Sequence, residues 1–275
     1  MALQDEIARI KQAKADIKTS IETKGGTVGD GTIDTYASAI DNLPSGEDIN
    51  EYFETTIDTT NYSYFFTRHV IKKFPPITIT ITNIQDAFNG YEFSVVPELD
   101  TSNVTYMSQL FCEAKRITTI PHFNTSKVTN MYKMFNQCVE LKTIPPIDTG
   151  KVTDMWRMFY QCYKLESVPE LDGSSLTNVE GMFDYVNTYF TDFGGIKDLG
   201  KSYSTTQAEN YASYTFRLSF CKNLTHDSLM NVINKLYDIK SKGCANQSLV
   251  LGATNLAKLT EEEINIAVNK GWSVS

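Results

Sequence analysis

Residues 195–202 read "GIKDLGKS" and match the phosphate-loop spacing G-x-x-x-x-G-K-[ST] at every position. In such a loop the glycines let backbone N–H groups close round a phosphate, and the lysine, here Lys201, reaches the outer oxygens. That chemistry needs a buried strand running into the loop and a helix leaving it. Upstream stands "YVNTYFTDFGG", aromatic and polar, without a Val/Ile/Leu strand. Downstream, "YSTTQAENYASYTF" lacks an apolar helical face, and no strand ending in a metal-binding Asp stands out elsewhere. The match reads as a coincidence, and a nucleotide-binding enzyme stays only as an alternative.

Other reactive residues are few. The three histidines, His69, His122 and His226, stand far apart in the sequence. His226 lies between Thr225 and Asp227 at the start of "HDSLMNVINKLYDI", where polar residues cap a helix. Five cysteines form no C-x-x-C pair, which disfavours a disulfide framework or a zinc site. No H-E-x-x-H or G-x-S-x-G is present. The expectation is a non-enzyme without cofactor or metal. A net charge of −8 without a basic stripe argues against nucleic acid. No run reaches the roughly 18 apolar residues that span a bilayer. The charged start "MALQDEIARIKQAKADIK" lacks the apolar stretch of an export signal, so the chain is expected to fold in a cytoplasm or be released from one.

The elements that position everything else are repeats. "VTYMSQLFCEAKRITTIP", "VTNMYKMFNQCVELKTIP" and "VTDMWRMFYQCYKLESVP" follow one another every 24 residues. Val104, Val128, Val152 and Leu176 share a column, as do Phe111, Phe135, Phe159 and Phe183. Val, Met, Met and Phe at i, i+3, i+6 and i+7 predict a short helix. Ile117-x-x-Ile120, Leu141-x-x-Ile144 and Leu165-x-x-Val168 then predict a short strand, ended by a proline. Asp100, Asn124, Asp148 and Asp172 suit turns. One such unit cannot bury its apolar face alone, so units must stack, Phe upon Phe. Cys138 and Cys162 fall in an inward column and read as small core residues.

These residues resemble the BspA-type leucine-rich repeat, closely over about 75–190. "LVLGATNLAKLTEEEINIAVNKGWSVS" resembles the closing segment of such proteins. The resemblance implies an α+β repeat solenoid of 24-residue helix-strand units, used for surface recognition and not catalysis. It also implies a setting: bacterial surface proteins, or tail and fibre proteins of bacteriophages. The expected organisation is a helical docking or oligomerisation segment at 1–46, a linker and cap at 47–76, repeats at 77–190, and a last repeat and cap at 191–275. The missing signal favours a virion protein assembled in the host cytoplasm, and a bacterial surface adhesin is the alternative.

The first segment carries a heptad seam of Leu3, Ile7, Ile10, Ile17 and Ile21, with Lys14 in its one polar position. It reads either as a coiled coil making a homo-oligomer, a trimer first, or as a helical hairpin on its own chain. In the coiled-coil reading it also anchors the chain to other virion proteins. Columns that vary while the core columns hold are the candidate contact surface. Trp156 and Tyr160, four apart, would share a helix face, with Tyr132 one coil away and Tyr163 nearby. Such a patch suits a host-surface glycan or protein, or a neighbouring virion subunit. Its other reading is plain cover of the convex side or packing under the N-terminal helices.

Overall fold

A computed structural model of the chain describes residues 56–57, 77–79, 82–91, 94–204, 215–244 and 246–275. The chain divides into two units, Met1–Thr55 with His69–Pro76 and Thr56–Arg68 with Ile77–Ser275, and every described residue belongs to the second. The expected helical segment, with its seam from Leu3 to Ile21, and nearly all of the 47–76 linker lie outside the described residues.

Between residues 82 and 190 the expected short helices are not formed: no described residue there is α-helical. Met107–Leu110 and Phe111–Ala114 are instead two consecutive four-residue turns, closed by Leu110 N–H to Met107 O at 3.3 Å and Ala114 N–H to Phe111 O at 3.0 Å. Gln109 and Glu113, third in each turn, have φ of 54° and 59°, the left-handed conformation that such turns require. Alternate N–H groups leave the turn. Met107, Gln109, Phe111 and Glu113 donate to Asn130, Tyr132, Met134 and Asn136 of the next coil at 2.7–3.0 Å. The scheme recurs one coil on, from Met131, Lys133, Phe135 and Gln137 to Asp154, Trp156, Met158 and Tyr160.

The misreading has a simple geometric cause. In every such turn the first and last residues are buried, and all half-exposed or exposed positions fall in the middle pair. Two turns of period four therefore place apolar residues at i, i+3, i+4 and i+7, the same offsets as one face of a short helix. The expected strands are likewise sparse. Lys142 N–H donates to Thr118 O, and Glu166 N–H to Lys142 O, but only Ser167–Val168 is a strand.

The inward columns form the core. Phe111, Phe135, Phe159 and Phe183 have no exposed surface, and their rings stack at centroid separations of 5.7, 5.5 and 5.4 Å. Phe88 extends the column at 5.1 Å from Phe111, although it stands 23 residues before it. Cys138 and Cys162 are fully buried, and their thiols donate to Phe111 O and Phe135 O at 3.0 and 3.1 Å. Burial pushes both thiols well above the usual range.

Polar columns pin the coils to one another. Asp100, Asn124, Asp148 and Asp172 each accept, through a side-chain oxygen, the N–H two residues on. Buried Thr101, Thr125 and Thr149 donate to the carbonyls of Asn124, Asp148 and Asp172 in the next coil.

Elements are numbered in chain order. β1 (Thr56–Ile57), β2 (Ile77–Ile79) and β3 (Leu99–Asp100) pair in parallel at the start. β4 (Ser167–Val168) pairs with β6 (Asp192–Phe193), and β5 (Leu171–Asp172) with β7 (Ile196–Lys197). The end is closed by β8 (Thr215–Arg217), α1 (His226–Lys235), β9 (Gln247–Val250), α2 (Ala253–Leu256), α3 (Glu261–Asn269) and β10 (Trp272–Val274). There β9 lies between β8 and β10, all parallel. Thr225 caps α1, while Thr260 and Glu263 form a reciprocal capping box on α3. His226 Nε2 lies 2.8 Å from Glu263 Oε1, tying the two helices together.

Candidate functional site

The phosphate-loop stretch is used for packing. A Cβ on Gly195, at φ +83°, would lie 2.8 Å from the Asn231 carbonyl oxygen, and one on Gly200, at φ +97°, 2.9 Å from Trp272. The only strand in the pattern, β7, lies inside it, and a four-residue 3-10 turn follows it, Lys201–Ser204. Lys201 Nζ stands 3.3 Å from Asp198 Oδ2. Among the described residues no group of three His, Cys, Asp or Glu is placed to hold a metal, and no helix is long and apolar enough to cross a membrane.

The middle pairs of the turns build a different kind of surface. Because each coil repeats its neighbour, residues 24 apart sit one above the other. The column Ser108, Tyr132, Trp156, Glu180 thus brings the Tyr132 and Trp156 rings to 5.0 Å, 14° from parallel. The next column, Gln109, Lys133, Arg157, Gly181, supplies two cations. Lys133 Nζ lies 5.4 and 5.1 Å from the Tyr132 and Trp156 ring centres. Arg157 Cζ lies 4.2 Å over Trp156 and 4.8 Å over Tyr160. Each contact is within cation–π range. Trp156 and Tyr160 are joined by this guanidinium and not by a shared helix face, since no helix is there.

The band runs on beyond the expected residues. Tyr160 meets Tyr185 edge-on at 5.3 Å, and Tyr185 lies 4.9 Å from Phe220. Tyr185 and Phe220 are 50% and 36% exposed. Tyr163 is exposed but, among the described residues, makes no ring contact with the other three. Toward the first coil the varying columns go inside: Ser108, Cys112 and Asn136 are buried. Cys112 donates to Asn136 Oδ1 at 3.8 Å, and burial pushes its thiol up to about 11. At the other end Asp184 Oδ1 is buried with no hydrogen-bond partner among the described residues, while Oδ2 faces Arg217 at 3.8 Å. Burial raises this carboxyl above its usual range against the pull of Arg217.

Tyr185 occupies the column of Gln137 and Gln161, so its ring could have been placed from the repeat spacing. Phe220 belongs to the closing coil, which keeps no 24-residue register, and no sequence signal places it. With the Tyr132 and Trp156 faces stacked on each other and Lys133 and Arg157 half-exposed beside them, the surface presents ring edges and cationic groups together. It can hold carboxylates and apolar side chains together.

Residues 82–196 match a family described as "Mycoplasma protein of unknown function, DUF285". Comparison with curated proteins and with solved structures gives no match.

Proposed function

We propose that this chain is a non-enzymatic recognition protein whose stacked coils form a rigid repeat scaffold, an α+β solenoid of the BspA kind in which turn pairs take the place of helices. On it a band running from Tyr132 through Trp156, Arg157 and Tyr160 to Tyr185 meets a protein partner. One observation carries the reading: Trp, Tyr and Arg side chains, the types that dominate binding hot spots, line up on one band instead of scattering. A glycan partner is less well supported, because Tyr132 and Trp156 cover each other's faces and leave few open to stack on a sugar ring. Catalysis lacks support for a parallel reason, since the glycines of the phosphate-loop match are filled by Asn231 and Trp272.

The setting we propose is a phage virion appendage, anchored and oligomerised through residues 1–21. It rests on the resemblance of the repeat and of the opening segment. The family match to proteins described as from Mycoplasma favours a second setting, a bacterial cell surface, with the same binding band.

The test compares wild-type chain with Trp156→Ala and Tyr160→Ala for attachment to cells of the bacterium that carries the gene, or hosts the phage that does. Both variants keep their melting behaviour and lose attachment. Attachment unchanged in both removes the band from consideration. Antibody labelling of purified virions against washed cells separates the two settings.

A further inference from the structure

The left-handed positions of the coils carry side chains of very different kinds. Each coil requires a left-handed residue at the third position of both its turns, and φ there runs from 52° to 69° at residues 86, 90, 109, 113, 133, 137, 157, 161, 181 and 185. Glycine takes this conformation freely, whereas a side chain is strained in it. The chain uses glycine at 90 and 181, so the scaffold accepts it in either turn. At the positions equivalent to Gly181 in the two preceding coils it places Lys133 and Arg157. Gln109, Glu113, Gln137 and Gln161 share this conformation, so what sets Lys133 and Arg157 apart is a cationic side chain beside aromatic rings.

The charges there make no close ion pair. Some other surface cations face acids directly: Lys142 with Glu166, Lys164 with Glu140, Lys235 with Glu170 and Arg217 with Asp184. Among the described residues neither Lys133 nor Arg157 has a carboxylate within 4 Å, and both lie over aromatic rings instead. The acids in the facing columns, Glu180 and Asp184, belong to the next coil, and Asp184 faces Arg217 at 3.8 Å and feels the charge of Arg157 from farther away. In a chain of net charge −8 these two form a local cationic pair with no close ion pair of its own, Asp184 acting on Arg157 only at longer range. Ring edges carry partial positive charge and add to it.

We infer that Lys133 and Arg157, held outward by Tyr132, Trp156 and Tyr160, bind the carboxylates of an acidic segment of the partner protein, while Tyr185 and Phe220 take apolar side chains beside them. This rests on the recognition reading above and names its ligand chemistry. A carboxylate suits the pair because Arg and Lys of adjacent coils can both donate to one acid group.

The experiment uses the full chain and a fluorescent random copolymer of glutamate and tyrosine, with heparin as the glycan competitor. Wild-type protein binds the copolymer in a salt-sensitive way. Lys133→Gln with Arg157→Gln weakens binding about tenfold, what two exposed ion pairs supply. Lys133→Gly with Arg157→Gly weakens it equally without lowering the melting temperature, which a packing role for these side chains would not allow. Copolymer binding unchanged in the double variants overturns the inference, and so does displacement by heparin at lower concentration than by unlabelled copolymer. A drop in melting temperature for the glycine pair shows that these side chains serve packing and overturns it too. Attachment to cells separates the two levels. If Trp156→Ala loses it and the glycine pair keeps it, the band is a recognition surface for a partner that is not acidic. If both keep it, the recognition reading falls as well.

Discussion

Phe135→Ala is the sharpest perturbation of this architecture. The ring has no exposed surface and lies between Phe111 and Phe159 at 5.7 and 5.5 Å, 4° and 9° from parallel. A buried Phe→Ala change costs about 3–5 kcal/mol, depending on how far the site can collapse. Here collapse is blocked along the axis. Phe111 N–H to Met134 O at 2.9 Å and Phe135 N–H to Met158 O at 3.0 Å fix the coil spacing independently of the ring. The void stays open, and the loss falls near the top of the range, about 5 kcal/mol. A domain has about 5–15 kcal/mol in all. Coils touch only their neighbours, so the defect also weakens coupling between the two sides.

The chain carries its own reporters. Trp156 stands one coil beyond Phe135, and the only other tryptophan, Trp272, is buried at the closing end, where its indole N–H donates to Tyr237 O. Urea titration is followed by fluorescence in the wild type and in a Trp156→Phe background, which leaves Trp272 alone. In the wild type the two transitions coincide. In Phe135→Ala the midpoint falls and they separate, with Trp272 unfolding later. A stability loss under about 1 kcal/mol, or a midpoint like the wild type's, would refute the reasoning that phenyl stacking holds the coils together.

Thr125→Val removes a hydroxyl that both donates to Asp148 O and accepts from Asp148 N–H, each at 2.8 Å, in a buried column. It costs about 1–3 kcal/mol in urea titration, whereas the exposed Thr129→Val stays within about 0.5 kcal/mol. Gln137→Gly relieves a left-handed residue with no ring contact of its own. Strain relief of about 1–2 kcal/mol, less about 0.5–1 kcal/mol of glycine entropy, leaves the variant more stable by about 0.5 kcal/mol in the same titration. The hydrogen bond to Glu263, assisted by the nearby Asp227, holds His226 above its usual range. A raised folded-state value stabilises fully below the ordinary histidine range and is lost as pH rises through the folded value. His226→Gln is therefore destabilising at about pH 5.5 and indistinguishable from wild type at about pH 8.5, read from paired urea titrations at the two pH values.

How much of this was legible follows from where periodicity carries information. The inward columns could be read residue by residue, because the columns of Val104, Phe111 and Ile117 stay apolar and buried at 24-residue spacing through Val152, Phe159 and Leu165. The offset also foretells that Tyr132 and Trp156 lie on adjacent coils. The local backbone could not be read, because burial reports which side of the chain faces inward and two period-four turns satisfy it as well as a helix does. A clue stood in the column Asn83, Asn130, Asp154, Asn178, whose side chains each accept the N–H two residues on and start a turn where a helix would otherwise begin. Tyr106 breaks that column in one coil, and bridges still run through it.

The two levels of description meet at the third position of each turn. For the backbone it is the most demanding place in the coil, since it alone must be left-handed, and glycine would serve everywhere. For the surface it is half-exposed or exposed in eight of the ten cases, Asp86 and Gly181 being buried, and at Lys133 and Arg157 rings lie beside it. A residue there answers to both, and the two requirements conflict for any side chain. Gly90 settles the conflict for the backbone; Lys133 and Arg157 settle it for the surface, beside the rings with which they make cation–π contacts. In a repeat whose core is the same in every coil, and where every coil holds a left-handed side chain, it is the coils that set a cation beside rings at this position that we infer touch something else.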